Sequence, residues 1–142
     1  RMGAVTMHTL YKGMVHPWLC DVMGHMNVRH YVGMFDDAGY QLLAEATGWN
    51  SVSEEWKGKG WADVNHQIEY LAELQSGTLI EIEGGITHIG SRSFTAHYNM
   101  KSKLSGEKAA RMTAKVVYFD LVARCSLPIT DLMKTKMEVR CI

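Results

Sequence analysis

The sequence predicts an α+β protein in which one helix lies against a curved antiparallel sheet. Two changes of period and one pattern of spacing carry that expectation. Residues 28–47 repeat apolar side chains at helical spacing, and the chain beyond residue 60 switches to alternation of apolar and polar side chains, the period of strands with one buried face. Four such strands follow, separated by short turn signals. One helix and then four closely linked strands fold most simply into an antiparallel sheet with its helix on one face. A strongly curved sheet wrapped around that helix meets the description. At 142 residues the chain is expected to form one domain burying about two-thirds of its unfolded surface.

A first strand is expected over residues 5–15, ended by Pro17. Tyr31, Met34, Phe35, Ala38, Leu42 and Ala46 then mark the buried face of the helix, with Gly48 placed to stop it as a left-handed C-terminal glycine does. Gly33 and Gly39 weaken the helix by roughly 1 kcal/mol each relative to alanine, so a close approach to the sheet is expected there. Residues 49–60 read as a loop. Val64, His66, Ile68, Tyr70, Ala72 and Leu74 alternate with Asn65, Gln67, Glu69 and Glu73 as one strand. Ile80 to His88 form the next, with a bulge or bend expected at Gly84-Gly85. Phe94 to Lys101 give the cleanest alternation. The last strand, residues 108–122, loses it at 116–121, where both faces are expected to be covered. Gln75-Ser76-Gly77, Gly90-Ser91 and Ser105-Gly106 are the turns between them.

Composition excludes several classes of function. The chain is 46% hydrophobic and 21% charged with zero formal net charge, so neither nucleic acid nor an anionic membrane surface is expected as a partner. No run of about 18 apolar residues and no signal-like start is present, which makes cytoplasmic localisation the expectation. Arg1-Met2 reads as a remnant ahead of the native start. Cys20, Cys125 and Cys141 are odd in number and lack CxxC spacing, arguing for reduced thiols over a disulfide framework. Seven histidines raise a metal site, but His25 and His30 are five apart and His66, His88 and His97 fall on separate strands, so no metal is expected.

The chemistry-bearing segment is Asp21-Val22-Met23-Gly24-His25-Met26-Asn27, immediately before the helix. A carboxylate one turn ahead of a helix start lies close to unpaired backbone N–H groups and the positive end of the macrodipole. Acyl transfer needs these two things together: a base or nucleophile at the carbonyl carbon, and donors aimed at the oxygen that becomes negative. Gly24 permits a tight reversal, and Asn27 is a candidate N-cap. His25 is a candidate second chemical group through its near-neutral pKa.

Asp21, Gly24, His25, Asn27 and Tyr31 form an Asp-x-x-Gly-His-x-Asn-x-x-x-Tyr pattern that resembles the signature of hotdog-fold acyl-CoA thioesterases of the 4-hydroxybenzoyl-CoA thioesterase type. The resemblance extends over the element order of nearly the whole chain. It implies a hotdog fold with a long central helix, and Asp21 as nucleophile or general base. It also implies Val28 as the backbone donor polarising the thioester carbonyl. Hydrolysis of an acyl-CoA to free acid and CoA follows, with CoA part of the substrate and no separate cofactor. The resemblance further implies a homodimer, or a dimer of dimers giving a homotetramer, with the aspartate of one subunit facing strand residues of the other.

Gly90-Ser91-Arg92-Ser93 offers backbone N–H, hydroxyl and guanidinium groups suited to phosphate or pantetheine, and the corresponding turn contacts CoA in related thioesterases. Ser91, Arg92 and Ser93 are therefore candidate CoA contacts, with Lys57 and Lys59 as further cations. Trp18, Trp61 and His66 are candidates to line an acyl pocket, and Tyr31 to border the substrate. Asp36 and Asp37 sit in mid-helix, where some other hotdog enzymes place a catalytic carboxylate and where solvation is the ordinary role. Two other functions share this framework: enoyl-CoA hydration or dehydration, which needs a histidine paired with a carboxylate across the site, and non-catalytic acyl-CoA binding.

Overall fold

The computed structural model describes residues 7–142; Arg1, Met2, Val5 and Thr6 of the expected N-terminal features lie outside the described residues. The strands are β1 (His8–Met14), β2 (Lys59–Tyr70), β3 (Leu79–Ile89), β4 (Ser93–Ser102), β5 (Lys108–Asp120) and β6 (Cys125–Ser126); the helices are α1 (Arg29–Thr47) and α2 (Asp131–Met137). One antiparallel sheet runs in the order β1-β3-β4-β5-β2, with β6 added to the end of β5.

The face of α1 that periodicity assigns to the core is buried, through Tyr31, Met34, Phe35, Ala38, Leu42 and Ala46. It meets inward-facing residues of the sheet such as Ile82, Tyr98 and Met100, all buried, and the rings of Phe35 and Tyr98 lie 6.3 Å apart. Gly48 stops the helix in the left-handed region at φ 78°, its N–H donating to Ala44 O at 2.9 Å. Gly77 and Gly106 occupy the same region in the expected turns.

Several expectations are corrected. A Cβ on Gly33 would meet open space and one on Gly39 only ordinary contact, 3.5 Å from the Tyr98 hydroxyl, so neither is forced by close packing. The tight positions are Gly84 and Gly85. A Cβ on Gly84 would lie 2.7 Å from His97 O, and one on Gly85 would collide with Ile142 and lie 2.8 Å from Arg140 O. Gly85 is small because the C-terminal segment crosses it: Ile142 N donates to Ile86 O at 2.8 Å, and Cys141 bridges Ile86. The bulge between β3 and β4 falls at Ile86/His88 rather than at the two glycines.

The second strand begins at Lys59, inside the expected loop, and ends at Tyr70. Leu71 N and Ala72 N both turn onto Ala109 O, and Leu74 O receives the Met26 N–H at 2.7 Å, which takes Ala72 and Leu74 out of the sheet. A register shift between Asp63 and Asn65 makes Val64 a bulge residue. Residues 116–120 keep an alternation of burial, with Val116 and Tyr118 inward and Val117 and Phe119 only half-buried. The helix α2 has no counterpart in the sequence reading. Its signals are local: Thr130 accepts the Met133 N–H at 3.2 Å as a cap, and Met133 and Met137 are its buried side.

Candidate active site

A single compact loop joins β1 to α1. After a 3₁₀ turn at Pro17–Leu19, Cys20 bridges Met26 in antiparallel fashion, Asp21 N donates to His25 O, and Gly24 N donates to Asp21 O. Gly24 sits at φ 89°, which a side-chain-bearing residue rarely adopts. The closure fixes both ends of the motif against each other.

The Asp21 carboxylate is held on both oxygens. One accepts the Met23 N–H at 2.9 Å and the other the Asn27 side-chain amide at 2.7 Å. The Asn27 bond first, and the Met23 bond second, hold its pKa below the ordinary carboxylate range. Asp21 is therefore ionised at neutral pH.

Asn27 acts in two directions. Its amide nitrogen serves Asp21, while its side-chain oxygen accepts the Arg29 N–H at 3.1 Å. The helix begins at Arg29 with Val28 in the cap position, so Asn27 caps from one position earlier than the N-cap expected of it. His30 N and Tyr31 N are taken by Asn27 O and Val28 O. This leaves the Val28 N–H as the amide of the first turn with no acceptor among the described residues.

Asp21, Val28 and Asn27 line one open groove of about 460 Å³ together with His25, Tyr31 and the segment from Tyr70 to Glu73. Its floor is apolar: Met26 and Tyr31 are buried, and Tyr31 meets Tyr70 edge-on at 5.0 Å. His25 points its Nε2 at Glu73, 3.6 Å away, so its near partner is a carboxylate across the groove and not Asp21. Tyr70 and Glu73 were not legible as site residues, because only the return of β2 to the motif loop brings them to residue 21.

The remaining candidates divide. Trp61 and His66 line a separate small cavity between α1 and the sheet, together with Asp36 and Asp63. Trp18 borders a third depression beside His16, Arg29 and His30, stacked on His16 at 4.4 Å. The three expected acyl-pocket residues therefore do not share one pocket in a single chain. In the Gly90–Ser93 turn, Gly90 N donates to Ser93 O, and one Arg92 nitrogen donates to Ser126 O at 2.7 Å and to its hydroxyl at 3.1 Å. Arg92 thus ties its turn to β6 while the rest of its exposed guanidinium faces outward.

Comparison with known proteins agrees with this architecture. A search of curated proteins returned no match. Among solved structures, a 1,4-dihydroxy-2-naphthoyl-CoA thioesterase from Synechocystis superposes with a TM-score of 0.78 at 19% identity, covering 93% of this chain and 96% of that one. A gentisyl-coenzyme A thioesterase gives 0.77 at 20% identity over 89% and 98%. A Staphylococcus aureus protein in complex with CoA gives 0.83 at 16% identity over 98% and 87%. At these identities the likeness is one of fold. The family follows from the sequence itself: residues 15–137 match the model of the thioesterase-like superfamily, and the chain belongs to it.

Proposed function

We propose that this protein hydrolyses an acyl-CoA thioester at the groove containing Asp21. The observation that carries the reading is that one groove holds the doubly hydrogen-bonded Asp21 and Val28, whose N–H is the first-turn amide without an acceptor among the described residues. In this reading α1 is the central helix of a hotdog fold, and the thioester carbonyl lies with its oxygen on the Val28 N–H. Either Asp21 or a water that it deprotonates adds to the carbonyl carbon. Negative charge collects on the oxygen, where the N–H and helix dipole stabilise it. The C–S bond then breaks and CoA leaves as thiolate. Direct attack forms an acyl-aspartyl anhydride that water hydrolyses, restoring the carboxylate. The hydrogen bonds that keep Asp21 ionised weaken it both as a proton acceptor and as a nucleophile, so the two routes share the same carboxylate geometry.

Ser91, Arg92 and Ser93 remain the proposed contacts for CoA. The two like-named structural neighbours act on aromatic acyl-CoAs, and the neighbour with bound CoA shares the fold; both support the thioester class without choosing the acyl group. Edge-to-edge pairing of β2, whose outer edge has no partner strand among the described residues, is the proposed dimer contact. The test is a panel of short, branched, aromatic, cationic and long acyl-CoAs followed by thiol release. Saturable hydrolysis of at least one supports the reading; binding of CoA esters with no turnover across the panel contradicts it, and hydration of an enoyl-CoA without thiol release replaces it.

A further inference from the structure

We propose that the cavity between α1 and β2 receives the distal end of the acyl group and selects one that ends in a primary ammonium; the inference rests on the thioesterase reading of the Asp21 groove. The cavity is assembled by the bulge in β2. Strict alternation would send Asp63 and His66 to opposite faces of the sheet, but the extra residue at Val64 restores both to the helix-facing side. There His66 Nε2 lies 3.3 Å from an Asp63 oxygen. Asp36 lines the cavity from α1, and it, Asp63 and His66 stand at its exposed mouth. Bulges that re-aim side chains in this way recur beside functional sites.

The walls have a definite chemical preference. Asp36, Asp63, Trp61 and Tyr98 line the cavity, and among the described residues no Lys or Arg does. Carboxylates and aromatic faces both attract a cation. Tyr98 is 2% exposed, yet its hydroxyl has no hydrogen-bond partner among the described residues and lies beneath Gly39 within the cavity lining. The indole N–H of Trp61 is buried with no partner among the described residues, and as a donor it takes no part in holding a cation. Burial first, then the charges of Asp63 and Asp37, push the Asp36 carboxyl above its ordinary pKa, partly offset by His66. A cation placed between Asp36 and Asp63 would relieve the repulsion between the two carboxylates.

Size and spacing narrow the ligand. About 30 Å³ of the cavity is open to a water-sized group, and one water needs about 10–15 Å³. That is room for an ammonium and its attached methylene. Among the described residues no three His, Cys, Asp or Glu side chains group as metal ligands do, so the wall suits an extended organic ligand. The groove and cavity share no lining residue in one chain, and positions 28 and 36 are about 12 Å apart along α1. Antiparallel self-pairing of β2 would lay its Tyr70 end beside the Gly60 end of a second copy, bringing the groove of one protomer toward the cavity of the other.

The experiment compares kcat/KM for 3-aminopropanoyl-, 6-aminohexanoyl- and 8-aminooctanoyl-CoA with the methyl-terminated isosteres butanoyl-, heptanoyl- and nonanoyl-CoA. The amine is favoured at one length or more by about tenfold, and Asp36→Asn and Asp63→Asn each pull that ratio back toward one, the scale of one charge-assisted hydrogen bond. Preference for the methyl ester at every length, or an unchanged ratio in both variants, overturns the proposal. Calorimetry with butylammonium chloride against butanol separates the two readings. Ammonium binding lost in Asp36→Asn upholds the cavity even if no thioester is cleaved, and hydrolysis without ammonium binding overturns the cavity alone.

Discussion

Val28 donates to the proposed oxyanion through its backbone, so a proline tests it in a way that no side-chain change does. Its φ is −53° and ψ −32°, within the range that a pyrrolidine ring imposes, and its N–H serves no acceptor among the described residues. Proline is well tolerated at a helix start for this reason. Val28→Pro is expected to leave the melting temperature nearly unchanged while kcat falls by about 10²–10³, the loss of one oxyanion donor. Calorimetry alongside steady-state kinetics checks both halves. Asn27 supplies the complementary test. Asn27→Asp keeps an oxygen for the Arg29 N–H but replaces the amide donor beside Asp21 with a second carboxylate. The lowered pKa of Asp21 keeps it ionised down through the usual carboxylate range, and it loses activity only as pH falls through that depressed value. In Asn27→Asp the leading cause of the depression is gone and a like charge is added, so the acid limb of the kcat/KM profile moves to higher pH. A limb that stays in place would separate Asn27 from the ionisation of Asp21.

Elements differ in how far their origin is visible in the chain. The helix α1 was legible almost to the residue, since its apolar spacing and Gly48 are local signals that tertiary contacts reinforce. The turns at Gly77 and Gly106 were legible for the same reason. The motif loop was legible as chemistry because Asp21, Gly24 and Asn27 are close in sequence, whereas Tyr70, Glu73, Asp36 and Asp63 enter sites only through sheet registration. The bulge at Val64 leaves no mark in an alternating pattern that extends past it. Gly85 shows the same limit: its role depends on a C-terminal segment more than fifty positions away in sequence. Gly85→Ala is expected to cost about 1–3 kcal/mol by overpacking, because Arg140 O is backbone and cannot turn aside as the Ile142 side chain can. Denaturant unfolding measures it. A neutral result would show the C-terminal crossing to be loosely attached.

For the molecule as a whole, the consequential feature is an open sheet edge. The strands β1 and β2 are its two edges, and among the described residues β2 pairs only with β5. Val64, Tyr70 and Leu71 expose apolar surface along β2 and its exit, and unprotected edges of this kind recruit another strand. Sedimentation is expected to give at least twice the chain mass of 16.0 kDa. Val64 lies near the centre of β2, where a two-fold axis of the proposed self-pairing would pass, so Val64→Lys would set like charges against each other and shift the mass toward that of one chain. Activity should fall with it, since the resemblance to hotdog thioesterases places the reaction between subunits. A monomeric wild type with full turnover would remove the second copy from the account. No helix of the described residues is long and apolar enough to cross a membrane.

The most direct measurement is the turnover of Asp21→Asn on the best acyl-CoA of the panel, beside its melting temperature and its affinity for CoA. Loss of the carboxylate is expected to reduce kcat by at least about 10²–10⁴ with the fold and CoA binding retained, since asparagine keeps the acceptor for the Met23 N–H. Wild-type kcat in a folded Asp21→Asn protein would contradict the assignment of thioester hydrolysis to this groove.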